Sequence, residues 1–176
     1  MSSVKGSIEL TSRLNQRGCM PRTTGNLFRG LGRTPQQDAE SALLAAEYHL
    51  GGIRYFGVER GLETQDDVNK FHIHLRAFFW ELVAVRDSMG VERRSDAKVG
   101  SALTTAEASP WFAEVVVYRN FAHESFHIIQ GLVPKGSTKA IAFSLEPTAR
   151  GGQQRFFHHL EDYLKQAKLL VQQAYA

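Results

Sequence analysis

From Thr34 onward the apolar residues recur at steps of three and four. Ala39, Ala42, Leu43, Ala46, Leu50, Ile53 and Phe56 form the first such row, which is the spacing of one face of an α-helix. In front of it stands Thr34-Pro35-Gln36-Gln37. A hydroxyl cap, proline at the first helical position and glutamine at the capping-box position together announce a helix start. Gly51-Gly52 interrupts the row, and two residues without side chains predict a kink or an early end near Leu50. Thr64 followed by Asp67 repeats the start signal, and Val68, Phe71, Leu75, Phe78, Phe79, Leu82 and Met89 form a long stripe that stops at Gly90.

Residues 91–108 are polar, carry the charged run Glu92-Arg93-Arg94-Ser95-Asp96, and read as a long connection. Ser109-Pro110 starts a third helix, whose pattern continues through Phe112, Val115, Val116, Ala122, Phe126 and Ile129 toward Gly131 and Pro134. Next, Ile141, Phe143 and Leu145 alternate with Ala142 and Ser144, which is strand spacing, and Pro147 through Gly152 read as a turn. Phe156, Phe157, Leu160, Tyr163, Leu164, Ala167, Leu170, Val171 and Ala174 give the last helix a broad apolar face. The pattern therefore predicts a mainly α fold over residues 34–176. It is a four-helix up-and-down-type bundle with a minor strand or hairpin between the third and fourth helices.

Composition adds limits. The 176 residues, 43% of them hydrophobic, suffice for one core. Cys19 is the single cysteine and has no internal partner for a disulfide. No stretch approaches the roughly 18 apolar residues of a membrane span. With no apolar signal-peptide core at the N-terminus, the expected location is cytoplasmic, without membrane contact. The net charge of +3 is uneven. Residues 1–33 hold Lys5, Arg13, Arg17, Arg22, Arg29 and Arg33 against Glu9, leaving 15 basic and 17 acidic side chains elsewhere. These residues read as a basic, loosely structured arm, either a solvated tail or a contact for nucleic acid.

Chemistry is expected on the third helix. With Phe112 at zero and about 100° per residue, Val115 falls near about −60° and Val116 near about +40°. Arg119 then falls near about −20° and His123 near about +20°. Two polar side chains thus occupy the middle of a stripe expected to be buried. A guanidinium stays protonated at any accessible pH, so an inward Arg119 requires a carboxylate, a polar cleft or a bound anion. Glu81 and Asp87, on the flanks of the second helix's stripe, are the carboxylates available to it. An ion pair with either makes Arg119 a structural lock in an interaction bundle.

Trp111-Phe112 through Tyr118-Arg119-Asn120-Phe121-Ala122-His123, preceded by Phe79-Trp80-Glu81-Leu82 and Asp87, resembles the HEPN superfamily of compact helical bundles over roughly half the chain. The resemblance implies a homodimer that cuts RNA without a metal or other cofactor, or a non-catalytic relative that binds RNA or nucleotide. Either form could act in RNA-linked defence or toxin–antitoxin function, with a protein antitoxin as a further partner. It implies that Arg119 holds the scissile phosphate, that His123 moves a proton to or from the 2′-hydroxyl or leaving oxygen, and that Asn120 orients the pair or the dimer contact. A fixed cation and a group titrating near neutrality suit that chemistry. Three residues separate Arg119 from His123 and seven separate it from His127, against four to six in the family.

A second resemblance uses metal. His123 and His127 stand four apart, and with His49 they supply three nitrogens. This is similar to the DinB family of metal-binding four-helix bundles. His158-His159 are expected to point to different faces. Gly30-Leu31-Gly32 and Gly51-Gly52 do not follow strands and fail as phosphate loops. Cys19 has no neighbouring base. Phe78, Phe79, Phe156 and Phe157 are expected in the core.

Overall fold

The computed structural model describes residues 32–120 and 157–176, together with the backbone of 127–129 and 142–144. It is mainly helical: α1 is Pro35–Arg54, α2 Gln65–Met89, α3 Ala97–Glu107, α4 Pro110–Asn120 and α5 Phe157–Tyr175. A π-helical turn, Tyr55–Arg60, follows α1. Strands β1 (His127–Ile129) and β2 (Ala142–Ser144) pair antiparallel, His127 opposite Ser144. The basic arm falls outside the described residues except at its end. There Arg33 makes a 3.2 Å ion pair with Asp38 and donates to the Gln37 carbonyl at 2.7 Å.

Both capping boxes form as their sequences predict. Thr34 Oγ1 accepts from the Gln37 amide at 3.2 Å and Gln37 Oε1 from the Thr34 amide at 2.9 Å. Thr64 and Asp67 make the same exchange at 3.1 and 3.0 Å. Asp67 is buried, and its second oxygen meets Arg60 at 2.5 Å. Its carboxyl is held below the ordinary value chiefly by the Thr64 hydrogen bond, with the Arg60 pairing a further cause. The glycine pair does not end α1, which stays α-helical to Arg54 before the π turn; Gly61, at φ 85°, closes that turn.

Helix α2 lies at the centre and touches α1, α3, α4, α5 and the π turn. Phe71, Leu75, Phe78, Phe79, Leu82, Val85 and Met89 are fully or almost fully buried along it. Each large apolar side chain so removed from water contributes about 1.5–3 kcal/mol. Ala39, Ala42 and Ala46 face α2 from α1 as a row of small residues, which lets the two helices pack closely. Phe157, Leu160, Tyr163, Leu164 and Ala167 close the core from α5.

Two expectations are corrected. The connection 91–108 contains α3, so the described residues hold five helices. Asp96 Oδ1 caps α3, accepting from Lys98 N at 2.8 Å and Val99 N at 3.1 Å, while Val99, Leu103 and Ala106 are buried. The third predicted helix is described from Pro110 to Asn120, and His127 to Ile129, expected on the same helix, are extended. The β-branched pair Ile128-Ile129 suits a pleated backbone better than a helical turn.

Candidate functional site

Helix α4 presents Phe112, Val115 and Tyr118 to the core. These lie at about 0°, −60° and −120° on its wheel. Its inward face is therefore centred near about −60°, turned from the predicted one, and Arg119, near about −20°, lies within the stripe toward its Phe112 edge and is half-buried. Two contacts set this rotation. The Tyr118 ring stacks on Phe79, with centroids 5.0 Å apart and planes at 22°, and the Tyr163 hydroxyl of α5 donates to the Glu114 carboxylate.

At that edge the Arg119 guanidinium lies over the Trp80 indole, 5.9 Å from the ring centroid, and its Nε is buried with no hydrogen-bond partner. The predicted carboxylates do not reach it. Successive residues diverge by about 100° around a helix, so the turn that aims Trp80 at Arg119 sends Glu81 to another flank of α2. Glu81 is half-buried there, and desolvation holds its carboxyl above the ordinary value. Asp87 meets Arg86 at 3.2 Å, and Arg86 lies 5.7 Å from the Phe112 centroid. Among the described residues, no carboxylate pairs with Arg119.

A second cation shares this flank. Arg76 stands one turn before Trp80, half-buried, with its Nε also buried and without a hydrogen-bond partner. One further turn back, His72 is held below the ordinary imidazole value by burial first and by the positive charge of Arg76 second. Arg76 and Arg119 are thus two cations beside the flank of α2 that carries Trp80, with Arg119 lying over the ring itself. The spacing of four between Arg76 and Trp80 was the signal that sequence reasoning passed over.

Asn120 is the last described residue of α4 and is exposed. His123 lies outside the described residues, and His127 belongs to β1, so the expected run of Arg119, His123 and His127 along one helix is not present. The metal alternative loses its helical His-x-x-x-His spacing for the same reason. Its third candidate, His49, contacts His74 instead, with Nδ1 to Nδ1 at 3.1 Å. Among the described residues, no cluster of three His, Cys, Asp or Glu side chains could hold a metal ion. The rings of His158 and His159 do not diverge as expected but approach to 4.0 Å between centroids. No helix among the described residues is long and apolar enough to cross a membrane. No family model, curated protein or solved structure matches this chain.

Proposed function

We propose that this chain is a HEPN-like RNA-binding bundle in which Arg119 is the principal phosphate contact and Arg76 a second cation on the same surface. The observation that carries the reading is the Arg119 guanidinium, half-buried on Trp80 with no carboxylate among the described residues to neutralise it. A permanent cation in that setting is complemented by an anion, and the planar fork of arginine suits a phosphodiester. The indole beneath it holds the guanidinium in place for that contact.

In its cleaving form the protein is a homodimeric, metal-independent endoribonuclease. Arg119 offsets charge on the phosphate, His123 transfers the proton and Asn120 orients them. In its non-catalytic form the same arginine binds RNA or nucleotide without turnover, and a protein antitoxin is a partner compatible with either form. The test incubates purified protein with mixed single-stranded RNA in excess chelator, beside Arg119→Ala and His123→Ala. Chelator-resistant cleavage lost in both variants supports the nuclease. Binding without cleavage, lost in Arg119→Ala alone, supports the binding module. A folded wild-type protein that neither binds nor cuts RNA refutes the proposal.

A further inference from the structure

On the other side of α2, His74 meets His49 of α1. Their Nδ1 atoms are 3.1 Å apart and their ring centroids 5.3 Å apart. The centroid separation exceeds the nitrogen separation by nearly one ring diameter, so each nitrogen points almost straight at the other. That is the geometry of an Nδ1–H···Nδ1 hydrogen bond. A tetrahedral ion at about 2.0–2.1 Å from each nitrogen would need both lone pairs turned off this line.

The pair is held firmly. Phe56 of the π turn stacks on His74 at 5.8 Å and 25°, and Tyr48 packs against both imidazoles at 5.3 and 5.9 Å. Gly52 lies so close that a Cβ there would come within 2.4 Å of His74 Nδ1. Burial lowers both imidazoles from the ordinary value, and His49 is lowered further by the charge of His74.

Several charged groups on the surrounding elements are engaged elsewhere, Arg60 of the π turn with Asp67 at 2.5 Å. Glu47 of α1 pairs with Lys168 of α5, and Arg54 of α1 with Glu161 of α5 at 2.6 Å. On α2, Asp66 pairs with Lys70 at 2.6 Å, and the Lys70 ammonium lies 5.7 Å from the Phe56 centroid. No carboxylate among the described residues is placed to offset positive charge on the two rings.

We propose that His49 and His74 form a proton-operated latch that fastens the end of α1 and the π turn to α2. With no added proton, one Nδ1–H donates to the other Nδ1. One added proton preserves the bond, because an imidazolium Nδ1–H still donates to a neutral Nδ1. A second proton leaves two donors and two positive charges facing each other at contact distance, and the latch opens. Opening is therefore coupled to the second proton of a coupled pair. It develops as pH falls below the ordinary value of 6.5.

Two measurements on the full chain test this. Imidazole ¹⁵N shifts followed from pH 8 to 4.5 should show His49 and His74 titrating as one coupled pair, with the second step below 6.5. Amide exchange over residues 49–60, corrected for its intrinsic pH dependence, should rise toward about tenfold per pH unit as the second proton binds, the limit for one proton gained on opening. Exchange in α5 should stay constant over the same range. His74→Gln should abolish the pH dependence, and Gly52→Ala, by displacing the His74 ring, should abolish the coupled titration. Independent titration of the two histidines near 6.5, pH-independent protection of residues 49–60, or stoichiometric Zn²⁺ bound by both rings at neutral pH would each overturn the latch. If His74→Gln does not fold, the wild-type imidazole titration decides alone.

Discussion

Replacing Arg119 with methionine separates a structural arginine from a functional one. Methionine keeps an unbranched side chain of similar reach along the Trp80 face but removes the charge and the buried Nε. The substitution forfeits the guanidinium–indole attraction at 5.9 Å, worth about 0.5–1 kcal/mol. It also removes a buried donor that has no hydrogen-bond partner, and such a group costs the fold about 1–3 kcal/mol. The two effects oppose each other, so the net change lies between about zero and about 2.5 kcal/mol of stabilisation. In urea, with a slope of about 1–3 kcal/mol per molar, the midpoint should therefore stay unchanged or rise. RNA binding should be lost over the same comparison. Urea titration followed by far-ultraviolet circular dichroism, beside anisotropy of a labelled single-stranded RNA, measures both. A destabilisation of about 3–5 kcal/mol, as for one partner removed from a buried ion pair, would show that Arg119 locks the bundle and would refute the reasoning.

Other substitutions probe the frame that holds this arginine. Phe79→Ala empties a fully buried site that supports Tyr118. It should cost about 3–5 kcal/mol, a fall in melting temperature of roughly 6–20 °C by calorimetry, and an unchanged midpoint would contradict the stacked core. Thr64→Ala removes the α2 cap and the largest cause of the lowered Asp67 carboxyl. It should cost about 0.5–2 kcal/mol at pH 7. Because that carboxyl is depressed in the fold, its stabilisation is present above the ordinary carboxylate value and lost as pH falls through the folded one. Acid unfolding of Thr64→Ala should therefore begin at higher pH than in the wild type. His72 is also lowered, so the fold favours its neutral form, and its contribution is present above 6.5 and lost as pH falls toward the folded value. Arg76→Gln should move the His72 titration upward by NMR but leave it below 6.5, because burial is the larger cause; no movement would place Arg76 away from His72.

The features legible in the chain were those whose partners lie within a few residues. Thr34 with Gln37 and Thr64 with Asp67 complete their caps inside one turn, so each helix start could be read from four letters. The stripe of α2 was readable because its apolar residues keep one period for 25 residues. Helix α3 carried the same signals in Asp96, Val99, Leu103 and Ala106, but the preceding charged run hid so short a helix.

The rotation of α4 could not be read in this way. Phe112, Val115, Val116, Val117 and Tyr118 surround much of the helix up to Asn120 with apolar side chains, so its own wheel offers more than one inward face. Phe79 beneath Tyr118 and Tyr163 beside Glu114 choose among them. That choice sets Arg119 toward one edge of the buried stripe, onto Trp80. His74 likewise meets His49 from 25 residues away, a pairing made only when α1 folds back on α2. Local hydrogen bonds and periodicity determine where helices begin and which residues are apolar. The azimuth of a helix, and the partner of each polar group it carries, depend on neighbours that the chain brings together only on folding.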